Sequence, residues 1–313
     1  MMNINININI NSDLNPMWVT GFSDGECSFS VSVSRSNRHK TGYAFGPIFA
    51  IELKDIDLDL LYKIQKFFKG AGKIHLIKDK GHAVYAVGSV SELENIIIPH
   101  FIKYPLLTIK RRSFLLFKEI VNKMYKKDHL NKEGVESIMS YRASMNKGLS
   151  AKFSENFPGI KPFVLPKENP LSVNDINVDW LVGFVDAEGC FFIHIRPNRN
   201  KTSYWVTPVF IIAQHSRDTT LFYLIKEFLG NGGYIIEEKT RDVVRYRAEK
   251  VAFIIEVIIP LFKNNSLQSK KLNNYLSFCS ACDLIKDKAH LTEEGLKKIR
   301  DIKSNMNTQR KYL

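Results

Sequence analysis

Several features common in a chain of this length are missing here. No apolar run approaches the 18 or so residues that span a bilayer, so a membrane is not an expected partner. The opening MMNINININI has neither the basic start and apolar core of a secretory signal nor the Arg/Ser-rich pattern of a transit peptide. Cysteine is scarce: Cys27, Cys190, Cys279 and Cys282 are the whole set in 313 residues, too few for a disulfide scaffold. Cys279-Ser-Ala-Cys282 lacks the second pair that a structural zinc site needs, and it lies in an apolar helical pattern. It reads as ordinary thiols in a reducing compartment. Acid is scarce as well. Asp and Glu total 32 against 45 Lys and Arg, a formal net charge of +13, which points to a polyanionic partner.

What the chain does contain, it contains twice. WVTGFSDGECSFSVSV from Trp18 returns as WLVGFVDAEGCFFIHI from Trp180, an offset of 162 (180 − 18). Trp, Gly, Phe, Asp, Glu and a second Phe keep their spacing, as Trp18/Trp180, Gly21/Gly183, Phe22/Phe184, Asp24/Asp186, Glu26/Glu188 and Phe29/Phe191. Beyond the motif the copies continue at an offset of 161: Ile64/Ile225, Gly72/Gly233, Tyr85/Tyr246 and Pro99/Pro260. One deletion near residue 41 reconciles the two offsets. A unit this long is a whole domain copied in tandem rather than a solenoid repeat. The expected organisation is a low-complexity tail over 1–15, a first domain over 16–147, a linker over 148–176 and a second domain over 177–313. Pro158, Pro162, Pro166 and Pro170 give that linker an extended character. Such a chain is a fused dimer, a monomer with an internal pseudo-two-fold axis.

Each half follows one order. Asn15-Pro16 supplies an N-cap and a proline at the first helical position. The motif helix then runs to about Gly25. SFSVSVSR alternates strictly after it, with Phe29, Val31 and Val33 on one face and serines on the other. A polar loop, a second strand (FGPIFAIEL), an amphipathic helix, a hairpin near 73–88 or 233–248 and a short helix ending at Pro99 or Pro260 follow. Longer basic helices are expected over 106–127 and 267–286. The fold class is α+β, a tandem pseudo-symmetric duplication of an α-β-β-α-β-β-α unit.

The chemistry sits at the repeated motif. Gly21 and Gly25, with Gly183 and Ala187 opposite, form a small-xxx-small spacing that lets two helix backbones approach closely. Packing the motif helices on each other brings Glu26 and Glu188 together. Two adjacent carboxylates repel unless a cation lies between them. In a basic protein with an anionic substrate the natural cation is Mg²⁺, held by a few carboxylates with phosphate oxygens and water. That arrangement suits in-line attack on a phosphodiester.

VTGFSDGEC (19–27) and LVGFVDAEG (181–189) resemble the namesake motif of LAGLIDADG homing endonucleases, in the single-chain, two-motif branch. The resemblance extends over nearly the whole chain from about residue 16. It implies two antiparallel sheets forming a DNA-binding saddle around a central two-helix interface, and a Mg²⁺-dependent endodeoxyribonuclease. It also implies that Glu26 and Glu188 bind the metals, while Asp24 and Asp186 are structural. Gln214 fits the family's polar residue on the second strand, although its counterpart is Leu53. Lys110 and Lys271 match the family's lysine near the start of the late helix, and they read equally as phosphate-contacting residues of a basic helix. Cys27 stands where the motif normally ends in glycine, and a side chain there is expected to strain the turn slightly.

Antiparallel strands with one polar face can lie in a DNA major groove. The candidate contacts are Ser30, Ser32, Ser34, Ser36, Asn37, Arg38 and Lys40 in the first half. In the second they are His194, Arg196, Asn198, Arg199 and Lys201, with Phe192 on the same face. The two sets differ at almost every position, so the expected target is long and not a strict palindrome. The leading function is site-specific double-strand cleavage for intron homing. The alternatives are an intron RNA maturase of the same fold and a DNA-binding protein whose catalysis has decayed. The wealth of Asn, Ile, Lys, Phe and Tyr suggests an AT-rich genome, that of a mitochondrion first and of a chloroplast otherwise.

Overall fold

The computed structural model describes residues 13–146, 148, 149, 153, 155, 157, 159–199 and 203–307. Lys201, one of the expected DNA contacts, lies outside them. The chain divides into two compact units. One is Glu26–Pro170; the other runs from Leu171 onward and includes the helix segment that ends at Gly25.

Helix α1 spans Pro16–Glu26 and opens as its sequence dictates, with the Asn15 Oδ1 accepting from the Met17 N–H at 2.8 Å. In the unit that follows, Cys27–Arg35 (β1), Tyr43–Lys54 (β2), Lys73–Ile77 (β3) and His82–Val87 (β4) form an antiparallel sheet in the order β1-β2-β4-β3. Helix α2, Leu58–Phe67, connects β2 to β3. Val90–Glu92, Leu93–Ile97 and Ile98–Lys103 run on as one helix, α3. Its middle turn is widened, with Ile98 N–H bonded back to the Leu93 carbonyl, just before Pro99, which has no N–H to offer an α-helical ladder. Helices α4, Lys110–Tyr125, and α5, Lys132–Ala143, cover the inner face.

The other unit repeats the pattern. Its elements are α6 (Val178–Glu188), β5 (Gly189–Pro197), β6 (Tyr204–His215), α7 (Thr219–Phe228), β7 (Tyr234–Glu238) and β8 (Val243–Ala248). A second widened helix, α8, joins Val251–Phe253, Ile254–Ile258 and Ile259–Asn264, and α9 (Lys271–Lys286) and α10 (Glu293–Ser304) follow. The sheet order is β5-β6-β8-β7, again antiparallel. The deletion near residue 41 falls in the first hairpin. Arg35 pairs with Tyr43 across a loop over 36–42, whereas Pro197 pairs with Tyr204 across the shorter loop 198–203.

The late helices start later than the apolar pattern suggests, at Lys110 and Lys271 rather than near 106 and 267. The hydroxyls of Thr108 and Ser269 accept from the N–H groups of Lys110 (3.3 Å) and Lys271 (3.1 Å), a local bond that competes with helix upstream. Both cores are built on the same five aromatic positions. Phe29 touches Phe49, Phe101, Phe114 and Phe117 at ring-centroid distances of 5.4 Å, and Phe191 meets Phe210, Phe262, Tyr275 and Phe278 at 5.0–5.5 Å. The repeated Met-Asn dipeptides brace them: Asn146 and Asn307, both with positive φ, donate Nδ2 to the carbonyls of Phe29 (3.3 Å) and Phe191 (3.0 Å).

Candidate active site and nucleic-acid interface

The site is assembled on glycines. A Cβ on Gly21 would collide with the Trp180 carbonyl oxygen, and one on Gly183 with that of Trp18. One on Gly25 would strike the Ala187 Cβ. The backbones of α1 and α6 are therefore in direct contact along the small-residue stripe. Two buried indoles lock the crossing. Trp18 Nε1 donates to Asp186 Oδ2 at 3.0 Å, and Trp180 Nε1 donates to Asp24 Oδ2 at 2.8 Å. Asp186 also accepts from Gln268 N (2.6 Å), Ser269 N (3.2 Å) and Ser269 Oγ (2.6 Å). Burial pushes its pKa up, while those donors and the nearby Lys271 charge pull it down. The first acid of each motif is thus committed to holding the helices.

The second acid is placed differently. Glu188 is the last residue of α6 and only half-buried, and its Oε1 accepts from Gln214 Nε2 at 3.1 Å. Lys271, at the start of α9, donates Nζ to the carbonyls of Val185 (2.9 Å) and Ala187 (3.0 Å). Both carbonyls lie in the last turn of α6, where the Val185 oxygen also accepts from the Gly189 N–H, at the negative end of the helix dipole, where an ammonium group is favoured. The fold brings Glu188, Gln214 and Lys271, distant in sequence, to one helix end. In the other unit Glu26 closes α1, also half-buried, and Lys110 opens α4. Leu53, paired with Ala83 on β4, brings no polar group where the second half has Gln214. Cys27 is the first residue of β1 and is not among the positive-φ residues, so the expected strain at this turn is absent. Gly189 has an ordinary extended φ of −81°, and its need for glycine is one of space, because a Cβ would lie 2.7 Å from the Val185 carbonyl oxygen.

No group of three or more His, Cys, Asp or Glu side chains among the described residues could enclose a metal ion. What the α6 end offers a metal is the Glu188 carboxylate, a hard oxygen donor, since the Val185 and Ala187 carbonyls accept from Lys271 and the Gln214 Oε1 from the His215 N–H. Such a donor fits a hard divalent cation that draws the rest of its ligands from water and phosphate.

The reading faces follow the strand alternation. Ser32 and Ser34 are exposed and Ser30 half-buried on β1, opposite Gly46, Ala44 and Ile48 of β2. Ser32 Oγ donates to the Gly46 carbonyl at 3.3 Å. Asn37, Arg38 and Lys40 are exposed in the 36–42 loop, where Ser36 Oγ lies 2.8 Å from His39 Nδ1. In the second half His194 and Arg196 are exposed on β5, opposite Thr207 and Trp205, and Phe192, two residues before His194 on the same face, is half-buried opposite Val209. Arg199 is exposed in the loop, and Asn198 Nδ2 donates to Ser203 Oγ at 2.8 Å. Three further residues on this face escape a reading confined to the first strand. Trp205 is 60% exposed beside Arg196, and Arg245 and Arg247 project from β8. The two arginines are held by Glu238 and Glu249 respectively. The alternation in VVRYRA, with Val244, Tyr246 and Ala248 buried, was the signal that finds them.

The sequence pattern described as LAGLIDADG endonuclease matches residues 19–121 and 181–282. The chain belongs to the LAGLIDADG endonuclease family. It is 39% identical over 301 residues to "Probable intron-encoded endonuclease 2" of Neurospora crassa, covering 94% of this chain and 65% of that protein. "Probable intron-encoded endonuclease 3" of the same fungus is 34% identical, with 91% of this chain and 53% of that protein covered. The chain therefore spans roughly half to two thirds of these curated relatives. Among solved structures it is similar to the LAGLIDADG homing endonuclease I-SmaMI bound to cleaved DNA, at 35% identity and a TM-score of 0.91, covering 96% of this chain and 99% of that one. The same enzyme bound to uncleaved target with calcium ions gives a TM-score of 0.90 at 35% identity, with 94% and 99% covered. The chain thus has two antiparallel four-stranded sheets with helices, the family's tandem α+β fold.

Proposed function

We propose that this chain is a site-specific, divalent-metal-dependent DNA endonuclease that cuts both strands of a long, non-palindromic target and serves intron homing. The observation that carries the reading is the division of labour between the motif acids. Asp24 and Asp186 are spent on indole bonds, whereas Glu188 stands at a helix end with an amide and an ammonium group beside it. In this reading Glu26 and Glu188 hold the metal, Mg²⁺ being the ion expected. The bound cation supplies charge stabilisation on the phosphoryl oxygens and an acidified attacking water. Gln214 holds the Glu188 carboxylate in place. Lys271, and Lys110 in the other half, provide a positive charge for the phosphate that develops charge in the transition state. The exposed serines, the loop cations and His194, Arg196 and Asn198 bind and read the duplex. The chain acts as a monomer, since duplication supplies both half-sites. Similarity to intron-encoded fungal proteins supports an intron of an organellar gene, the mitochondrial one first.

The test is one duplex, taken from a randomised library selected for cutting with Mg²⁺, and three proteins. Glu26→Gln and Glu188→Gln keep size and hydrogen-bonding reach but remove a charge. Each is expected to lower cleavage at least about 100-fold, on the scale of losing one group that stabilises transition-state charge. Binding to the uncleaved duplex with Ca²⁺ should change little, because contacts to bases and most phosphates lie elsewhere. Undiminished cutting by either variant removes that glutamate from the assigned role.

A further inference from the structure

The outward face of the second sheet carries acids where a surface that meets a polyanion gains nothing from them directly. Tyr234, Ile236 and Glu238 of β7 lie opposite Arg247, Arg245 and Val243 of β8. Arg245 thus stands between Ala213 of β6 and Ile236, and Arg247 between Ile211 of β6 and Tyr234. Each arginine is met by a carboxylate. Glu238 pairs with Arg245 Nη1, and Glu249, the first residue after β8, accepts through Oε2 from Arg247 Nε at 2.9 Å. The other oxygen of Glu249, Oε1, accepts from the Tyr234 hydroxyl at 3.1 Å. The Arg245 and Arg247 side chains are 25% and 24% exposed, which sets these pairs apart from fully exposed ones that hold little.

The fold itself does not call for this set. At the equivalent positions, 161 residues earlier, the first half has Val84 and Ala86 for the arginines, Ile77 and Gly88 for the acids and Lys73 for the tyrosine. All five differ, yet both sheets keep one strand order. A carboxylate on a face turned to phosphates is repelled by them, which weakens binding. What two such acids contribute is therefore their effect on the arginines they hold. Glu249 engages Arg247 at Nε, and the fork of two terminal nitrogens is the edge that matches O6 and N7 of guanine.

We propose that Glu249 and Glu238 are positioning residues that determine specificity: without touching DNA, they fix Arg247 and Arg245 for two guanines of the target. The inference rests on the DNA-reading function proposed above. An arginine held in place loses little rotamer freedom on meeting a base. Its compensated charge also keeps it from the nearest phosphate, a contact that carries no sequence information. Two residues along a strand span about 6.8 Å, close to two base-pair steps of about 3.4 Å. The two guanines are therefore expected about two base pairs apart.

The test follows binding of the full chain to fluorescein-labelled target duplex in Ca²⁺, competed by every single base-pair variant of the target and by a random duplex. Two G·C requirements about two base pairs apart are expected, of which Arg247→Ala flattens one and Arg245→Ala the other. Glu249→Gln should lower discrimination about 10-fold at the Arg247 position alone, while random duplex binds equally well or tighter. Glu238→Gln should do the same at the Arg245 position. A merely structural role would weaken every duplex by one factor, and that result overturns the proposal. So does discrimination left intact in both glutamine variants, which reduces the acids to repulsion. A required pair other than G·C at the positions the arginines control overturns it as well. A wild type that selects no duplex removes the proposed function itself, and this inference with it.

Discussion

His100 illustrates how one residue sets a condition on the whole fold. Its imidazole is 9% exposed and packed among Phe67, Phe68, Phe101 and Tyr104 at centroid distances of 4.8–5.3 Å. Burial lowers its pKa from 6.5 to about 3, because the cationic form loses its hydration. Between those values the unfolded chain carries the proton and the folded chain does not. This contribution to stability is therefore complete above about pH 6.5 and is lost as pH falls toward 3, at about 1.4 kcal/mol per pH unit. The second half has Leu261 at the equivalent position, so His100→Leu is a substitution the fold already accommodates. Denaturant unfolding at pH 7.5 and pH 5 should show the wild type losing about 2 kcal/mol more than the variant. An identical drop in both proteins would mean that His100 does not govern the acid limb. Nothing in the residue types announces this site, because a histidine in an apolar run looks the same in sequence whether it is buried or at a surface.

At the scale of elements, α1 and α6 were legible because repetition and small-residue spacing agree. Gly21→Ala puts two effects of opposite sign against each other. Helix propensity favours alanine by about 1 kcal/mol. The new methyl, however, meets the Trp180 carbonyl, which belongs to helix backbone and cannot step aside. Overpacking typically costs 1–3 kcal/mol and more where backbone must move, so sterics win. The expected result is a net loss of about 2 kcal/mol or more by thermal or chemical unfolding, and the same for Gly183→Ala. A variant as stable as wild type would show that the helices separate readily at this crossing. The strands, too, could be read from alternation, and the shortened hairpin loop from the change of offset. The starts of α4 and α9 could not, since whether Thr108 and Ser269 cap or continue a helix depends on the chain around them. The role of Asp24 and Asp186 was legible only through the family, as the indole that each one holds comes from the other copy of the motif.

For the molecule as a whole the consequence of duplication is divergence, and it is greatest on the outward faces of the two sheets. The first half presents Ser30, Ser32 and Ser34 against Ala44, Gly46 and Ile48, small groups with short reach, and Ser32 is already bonded to backbone. The second presents His194, Arg196, Trp205 and Thr207, with Arg245 and Arg247 behind them, where the first half has Val84 and Ala86. Arginine bonding two acceptors of guanine, and apolar contact with the thymine methyl, each discriminate between base pairs, whereas a serine hydroxyl accepts either donor or acceptor. The half of the target read by the second sheet should therefore carry the stricter sequence requirement. In a scan of single base-pair substitutions the largest penalties, about 1–3 kcal/mol in binding, should fall in that half. Trp205 offers an independent readout, because the other two tryptophans, Trp18 and Trp180, are buried. Iodide quenching of the exposed indole should be lost on adding target duplex, and Trp205→Ala should remove the quenchable emission of the free protein while weakening discrimination in the same half-site. Equal penalties in both halves, together with a Trp205 that stays open to iodide on DNA, would place the stricter reading somewhere other than this face.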